Sequence, residues 1–327
     1  MELAQLRYFT AVADAGNFTR AAEQCHVSQP SMSQQIMHLE RELGHKLFHR
    51  LGRRAVLTEA GQVFLERVRH ILLKIDDASK ELKDSPTLER RIKIGAVPTL
   101  APYLLPPVLE RCRTLYPNLQ VHTHEDFRPD LVRGVIEGDL DLVIVPQPVK
   151  DLRVSLEVLF SEPLLLAVSR DHPLATKPEI AAADLADESF VLLGHTSSLL
   201  AETERFCGEN DFAPRLGHRC SQVATVKALV ALGAGIAILP RVACNPRDRF
   251  TLVYRELSGR APTREVVIVR HLQRYQTQGS ELFLKVLRGM VAELTAAGEI
   301  KGSIAPHPSP PPAPPGSAAL PAVSPDT

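Results

Sequence analysis

Residues 15–44 read AGNFTRAAEQCHVSQPSMSQQIMHLERELG. Thr19 is placed to cap a short helix running through Cys25, and a tight turn follows at His26-Val27-Ser28. Ser28 can cap the next helix, and Pro30 sits in that helix's first turn, where its missing N–H is harmless. Met32, Ile36, Leu39 and Leu43 recur at +4, +3 and +4, which predicts a buried helical stripe. The opposite face carries Gln29, Ser31, Ser33, Gln34, Gln35 and His38. This face is uncharged and rich in paired donors and acceptors, as base edges in a major groove require; an ordinary solvated face carries Lys and Glu. Two helices joined by a tight turn, with such a face on the second, predict a helix-turn-helix that reads DNA.

The flanks agree. Upstream, Leu3, Leu6, Phe9 and Ala13 lie on one helical face. Thr19, Arg20, Ser28 and Pro30, at the helix starts, join the expected DNA contacts. Downstream, no acidic residue stands between Glu42 and Glu59, while Lys46, Arg50, Arg53 and Arg54 lie there with His45 and His49. LFHRLGRRAVLT (47–58) reads as a β-hairpin wing turning at Gly52. Arg50, Arg53 and Arg54 on that wing suit phosphate and minor-groove contact.

A long helix is expected next, with Thr58 as its N-cap. Phe64, Val68, Ile71, Ile75, Ala78 and Leu82 repeat at +4, +3, +4, +3 and +4, the 3.5-residue period of a coiled-coil seam. The helix would be about 40 Å long. Its stripe can be covered by a second copy of the chain, giving a dimer, or by the chain's own domain.

From Arg90 onward short apolar strands alternate with helices. IKIGAV (92–97), LQVHTHE (119–125) and DLDLVIV (139–145) are separated by helical segments, an order that implies parallel strands with helices on their faces. SFVLL (189–193), a helix from about Ser198 to Cys207, helical VATVKALVALG and IAILP (236–240) form a second unit. EPLLLAVS (162–169) and REVVIVR (264–270) can pass between the two. The expected class is α/β multidomain. A winged helix-turn-helix occupies 1–57, a linker helix 58–89 and a two-lobed effector domain 90–300. Lobe I covers about 90–162 and 266–296, and lobe II about 163–265. Two lobes joined by two crossing strands leave a cleft suited to a small ligand. The last segment, 301–327, carries nine prolines and almost no large apolar side chain, and is expected to be disordered.

Composition sets limits. The chain has 327 residues, 38 Lys+Arg against 38 Asp+Glu, and a hydrophobic share of 44%, ordinary for a globular protein. Zero net charge excludes a basic coat over the whole surface but not a local patch. Apolar runs such as LLLAV (164–168) and GIAIL (235–239) are strand-sized, so no membrane span is expected. Five scattered cysteines, Cys25, Cys112, Cys207, Cys220 and Cys244, with no CxxC, fit a reduced, cytoplasmic setting. There is no HExxH or Cys–His metal spacing and no GxSxG frame, so neither a metal, a cofactor nor an enzyme is expected. Gly233-Ala234-Gly235 precedes its strand and reads as a helix C-terminus, not a nucleotide loop.

LRYFTAVADAGNFTRAAEQCHVSQPSMSQQIMHLERELGHKLFHRLGRRAVLTEAG (6–61) resembles the N-terminal signature of the LysR-type transcriptional regulators, and the resemblance extends over about 1–295. It implies a winged helix-turn-helix, a linker helix and an effector domain like a type 2 periplasmic binding protein. It also implies homotetramers built as dimers of dimers, binding to promoter DNA, a small-molecule inducer and RNA polymerase as a further partner. Activation, often with repression of a divergent gene, is part of the same implication.

Within the family, VPTLAPYLLP (97–106), HED (124–126) and FSEPLLLAVSRDHPLA (160–175) are most similar to the peroxide-sensing branch. That branch implies a reactive cysteine at a helix start, nine residues before a second cysteine. Cys207 matches the second position, and Ser198 stands at the first. A serine forms neither sulfenic acid nor disulfide. A thiol-based redox sensor using Cys207 with Cys220 or Cys244 is the alternative to a metabolite sensor. The family's inducer position between the lobes implies Thr99, Arg128, Thr196, Ser197, Ser198, Ser221 and Gln222 as effector contacts. Helix starts with hydroxyls favour anions, and Arg128 adds a cation with fork geometry, so an organic anion is expected. Arg128 can instead pair with Asp126 or Asp130.

Overall fold

The computed structural model describes residues 1–52, 54–83, 90–194, 197–245, 248, 250–298 and 300–302. Arg53, Thr196, residues 84–89 of the expected linker and residues 303–327 of the proline-rich segment lie outside the described residues.

Three helices open the chain: α1 (Leu3–Ala15), α2 (Phe18–Gln24) and α3 (Gln29–Leu43). Asn17, not Thr19, caps α2, its side chain accepting from the N–H groups of Thr19 and Arg20 at 2.8 and 3.1 Å. Ser28 caps α3 through the Ser31 N–H at 3.3 Å. A wing of β1 (Phe48–Leu51) and β2 (Arg54–Leu57) follows, paired antiparallel from Phe48↔Leu57 to Leu51↔Arg54. Gly52, directly after β1, has a φ of 61°, one that glycine adopts without strain. The Phe9 ring lies 5.3 Å from Phe48 and 5.2 Å from Phe64, so one aromatic cluster ties α1, the wing and the next helix together.

That helix is α4 (Glu59–Lys83). Thr58 caps it as expected, accepting from the Gly61 N–H at 2.9 Å and donating to the Lys46 carbonyl at 2.7 Å. Gly61 is required here, because a Cβ at this position would sit 2.2 Å from the Leu47 carbonyl oxygen. The expected seam divides in two. Phe64 and Val68 pack into the chain's own DNA-reading core, with Val68 0% exposed, so they leave the seam. Ile71, Ile75 and Leu82 are 40%, 41% and 88% exposed, and Ala78 is exposed beside them. The 3.5-residue period is continuous because the buried and the exposed parts of the stripe lie on one helical face.

The effector region runs β3 (Arg90–Ala96), α5 (Ala101–Leu115), β4 (Leu119–Glu125), α6 (Arg128–Glu137), β5 (Leu142–Pro146) and β6 (Val154–Ser169). It continues through α7 (Pro173–Thr176), β7 (Ser189–Leu193), α8 (Ser198–Gly208), β8 (Arg215–Cys220), α9 (Val223–Ala231) and β9 (Ala237–Pro240). It closes with β10 (Leu252–Arg255), β11 (Thr263–His271), α10 (Gln278–Ala296) and β12 (Lys301–Gly302). β4, β3 and β5 are parallel neighbours, and β11 runs antiparallel to β5. β6 is one unbroken strand of 16 residues. Residues 154–163 pair with β11, while residues 164–169 pair with β9 and β10. Two apolar cores result. One is built on Ile92, Ile94, Phe160 and Phe283, the other on Leu166, Phe190, Phe206 and Ile238. α4 is tied to the first lobe by Arg69–Glu137 at 3.1 Å, Arg274–Asp76 at 3.0 Å and Arg274–Asp77 at 3.1 Å.

Candidate nucleic-acid interface and effector cleft

The outer face of α3 presents Gln29, Pro30, Ser31, Gln34 and His38 to solvent, with Thr19, Arg20 and Ser28 exposed beside them. Ser33 does not belong to this face. It is buried, and its hydroxyl accepts from Arg50 Nη1 at 3.0 Å. Arg50 is correspondingly held in place, its guanidinium 4.8 Å from the Phe18 ring centre. Gln35 is half-buried, and Gln5 of α1 donates to its side-chain oxygen at 3.1 Å while contacting the His38 ring at 3.2 Å. Ser33 and Arg50 therefore fix the wing against α3, and Gln5 fixes α1. Arg54 is exposed on β2.

Glu40 was not among the expected site residues, yet it sets the wing. It is buried in α3 and accepts from the backbone N–H groups of Leu47 and Phe48 at 2.8 and 3.3 Å, and from Lys46 at 3.2 Å. Its sequence signal is an acid on the apolar side of a helix just before a basic loop. The wing has a second tether, the Ala55 N–H donating to the Gly16 carbonyl at 2.8 Å.

Between the lobes lies a cavity of about 200 Å³. Val97, Pro98, Thr99, Phe127 and Arg128 line it from one lobe; Leu193, Gly194, Ser197, Ser198, Cys220, Ser221 and Val223 line it from the other. Five of the seven expected effector residues thus converge on one space. Gln222 is exposed and stands outside the lining. Ser197 caps α8 by accepting from the Leu199 N–H at 3.3 Å, so Ser198 is the first residue of that helix. The start of α9 abuts the same cavity through Val223.

Arg128 is the one charged residue of this lining among the described residues. Its Nη1 donates to the carbonyls of Pro146 and Gln147 at 3.2 and 3.0 Å. It does not pair with Asp126 or Asp130. Asp130 pairs with Arg133, and Asp126 accepts from the Phe127 N–H at 2.8 Å and lies 3.5 Å from His124. Backbone carbonyls orient the guanidinium without neutralising it, so its charge faces the cavity. Arg128 also borders a wider groove of about 760 Å³ between α4 and the first lobe, where Arg69, Leu73, Pro129 and Pro148 are its neighbours.

Beneath the cleft, Arg264 on β11 pairs with Glu162 on β6 and donates to the Thr99 hydroxyl at 2.9 Å. Glu162 also accepts from the Val242 N–H at 2.8 Å. Thr99 is thus a positioned residue of the cleft floor. Cys112, Cys207 and Cys220 are buried, and Cys25 and Cys244 are half-buried. Cys207 is 0% exposed and its thiol is pushed up to about 12 by burial. Burial pushes Cys244 up to about 12 and Cys112 up to about 11, and raises Cys220. Ser198 and Cys207 stand at opposite ends of α8, about 13 Å apart along its axis. Among the described residues no group of three or more His, Cys, Asp or Glu could hold a metal ion, and no helix is long and apolar enough to cross a membrane.

Residues 3–62 match the family model described as bacterial regulatory helix-turn-helix protein, lysR family, and residues 86–292 match the LysR substrate binding domain. The chain belongs to the LysR family. It is 35% identical over 273 residues to the DNA-binding transcriptional dual regulator OxyR of Escherichia coli strain K12, covering 82% of this chain and 89% of that one. A full-length OxyR variant from Pseudomonas aeruginosa superposes with a TM-score of 0.70 at 27% identity, covering 92% and 98% of the two chains. Full-length CbnR, solved in complex with its target DNA, gives a TM-score of 0.59 at 25% identity and covers 88% and 99%. The protein is thus a LysR-family DNA-binding transcription regulator with an N-terminal winged helix-turn-helix and a two-lobed α/β effector domain.

Proposed function

We propose that this regulator reads promoter DNA through α3 and the wing, and that a small organic anion held between its lobes controls that reading. The observation that carries the proposal is Arg128, a guanidinium facing a two-lobed cavity with no carboxylate paired to it among the described residues. Ser197 and Ser198 at the start of α8 supply hydroxyl and N–H donors to the same space. A ligand gripped by both lobes favours one arrangement of them, which is what a response at the DNA requires. A coupling of about 1–3 kcal/mol suffices. Two chains joined along Ile71, Ile75, Ala78 and Leu82 would set two α3 helices on one duplex.

Calorimetry against carboxylates, phosphates and neutral analogues is the test. An anion should bind the wild type and lose its effect in Arg128→Ala, while basal operator binding stays near normal. Preference for a neutral ligand would remove Arg128 from its role. Similarity to OxyR supports a second reading, thiol sensing. Loss of free thiols together with an operator mobility shift on peroxide treatment would favour it over the first.

A further inference from the structure

Glu202 is set apart from the other buried polar side chains. It lies on α8, one helical turn beyond Ser198, and is 8% exposed, and neither of its carboxyl oxygens has a hydrogen-bond partner among the described residues. Buried polar atoms are overwhelmingly paired, so an unpaired carboxyl one turn along the helix from a cavity-lining residue asks for a function. The charges that act on it come from four elements: Arg264 on β11, Glu162 on β6, Arg128 on α6 and Arg205 on its own helix. Arg264 and Glu162 neutralise each other at 2.8 Å. Arg205 is exposed, where water screens its charge. Arg128 acts on it least of the four, and it is the one whose charge also faces the cavity. Burial outweighs these attractions and raises the Glu202 carboxyl to about 7.

We infer that the cleft takes its inducer as a monoanion together with one proton, and that the proton resides on Glu202. The inference rests on reading the cleft as an organic-anion site. An anion bound at Arg128 and an ionised Glu202 would be like charges in a poorly screened space, and each disfavours ionisation of the other. Uptake of a proton from the buffer removes the conflict: protein, monoanion and proton combine, and no bond other than the Glu202 O–H is made. A dianion brings a second charge for which the described lining holds no counter-charge, since Arg128 is the one charged residue among the described residues of that lining. Glu202 therefore sets both the pH response and the preference for monoanions without touching the ligand.

The experiment is calorimetry of the full chain with acetate, benzoate and succinate from about pH 6 to 8.5, in buffers of different ionisation enthalpy. Benzoate or acetate should bind with uptake of about one proton above pH 7, weaken about tenfold per pH unit there, and exceed succinate at least tenfold. Glu202→Gln, neutral at every pH, should bind the same ligand with no pH slope and no proton uptake. A flat wild-type profile, or a slope that survives in Glu202→Gln, overturns the inference. Failure of every carboxylate to bind either protein, or unchanged binding in Arg128→Ala, overturns the anion reading itself. Melting midpoints without ligand keep Glu202 testable in that event. Wild type and Glu202→Gln should coincide near pH 5 and separate by pH 8.5, with the variant higher. A constant difference over that range would show that Glu202 carries no titrating proton in the fold.

Discussion

Arg264 and Glu162 meet at 2.8 Å with side chains 1% and 0% exposed, where the two long strands carry the chain from one lobe to the other. The pair also holds Thr99 at the cleft floor and the backbone at Val242. Removing one partner strands the other charge in the interior. Arg264→Met should therefore cost about 3–5 kcal/mol in denaturant unfolding. Adding Glu162→Leu to it should recover much of that loss, because the orphan charge goes too. A single variant within about 0.5 kcal/mol of wild type would mean that the hinge tolerates an unpaired carboxylate.

At the DNA face, Gln34→Ala removes an exposed amide from α3. Base preference should relax by about 1–3 kcal/mol at one position if the contact is bidentate. Arg54→Ala should instead weaken all sequences alike and lower the salt slope by about one unit. Footprinting on operator variants and a salt titration separate the two effects, and unchanged selectivity in Gln34→Ala would take that residue out of the reading face.

Two substitutions on α4 should have opposite consequences. Val68→Asp buries a charge in the DNA-reading core and should unfold that module. Ile75→Asp places the charge on the exposed part of the stripe and should dissociate the assembly while the module stays folded. Circular dichroism with sedimentation velocity reads both outcomes. An intact oligomer in Ile75→Asp would show that assembly uses another surface.

Peroxide should be a poor inducer. The thiolate is the reactive form, and burial holds Cys207 and Cys244 at about 12 and Cys112 at about 11. Their modification should therefore be slow at neutral pH and should keep rising about tenfold per pH unit up to about 11–12, with no plateau near the free-thiol range. Timed alkylation with mass spectrometry checks this. Rapid peroxide-dependent loss of Cys207 at neutral pH would reverse the assignment.

Much of this architecture could be read from residue spacing, because apolar repeats report burial directly. The α3 stripe, the wing and the strands at 92–97 and 189–193 all follow that rule. β8 escaped it, since five of its six residues are exposed and leave no apolar run to read. The first half of β6 escaped for a similar reason: Glu157 and Ser161 interrupt it, although both sit within the β11 pairing. In the site, Thr99, Arg128 and Ser198 could be placed because the resemblance to the LysR-type regulators implies an inducer position between the lobes. Ser33 falls off the exposed face because helical spacing gives a face but not the neighbour that covers it. Glu202 gave no sign at all. A glutamate within ETERF reads as a solvated helix face until tertiary packing closes over it.

Because β6 serves both lobes without interruption, the lobes share an axle instead of a loop hinge. Motion that preserves its pairing with β11 on one side and with β9 and β10 on the other must be mostly torsion, since paired strands tolerate changes of twist far better than separation. α4 converts that torsion into distance. From its last anchorage on the first lobe at Arg69 back to Glu59 the helix measures about 15 Å, so a turn of about 5° would sweep its far end through about 1.3 Å. That stroke is wide enough to make or break a hydrogen bond to a base, and it sits at the tip of a lever whose fulcrum is in the first lobe.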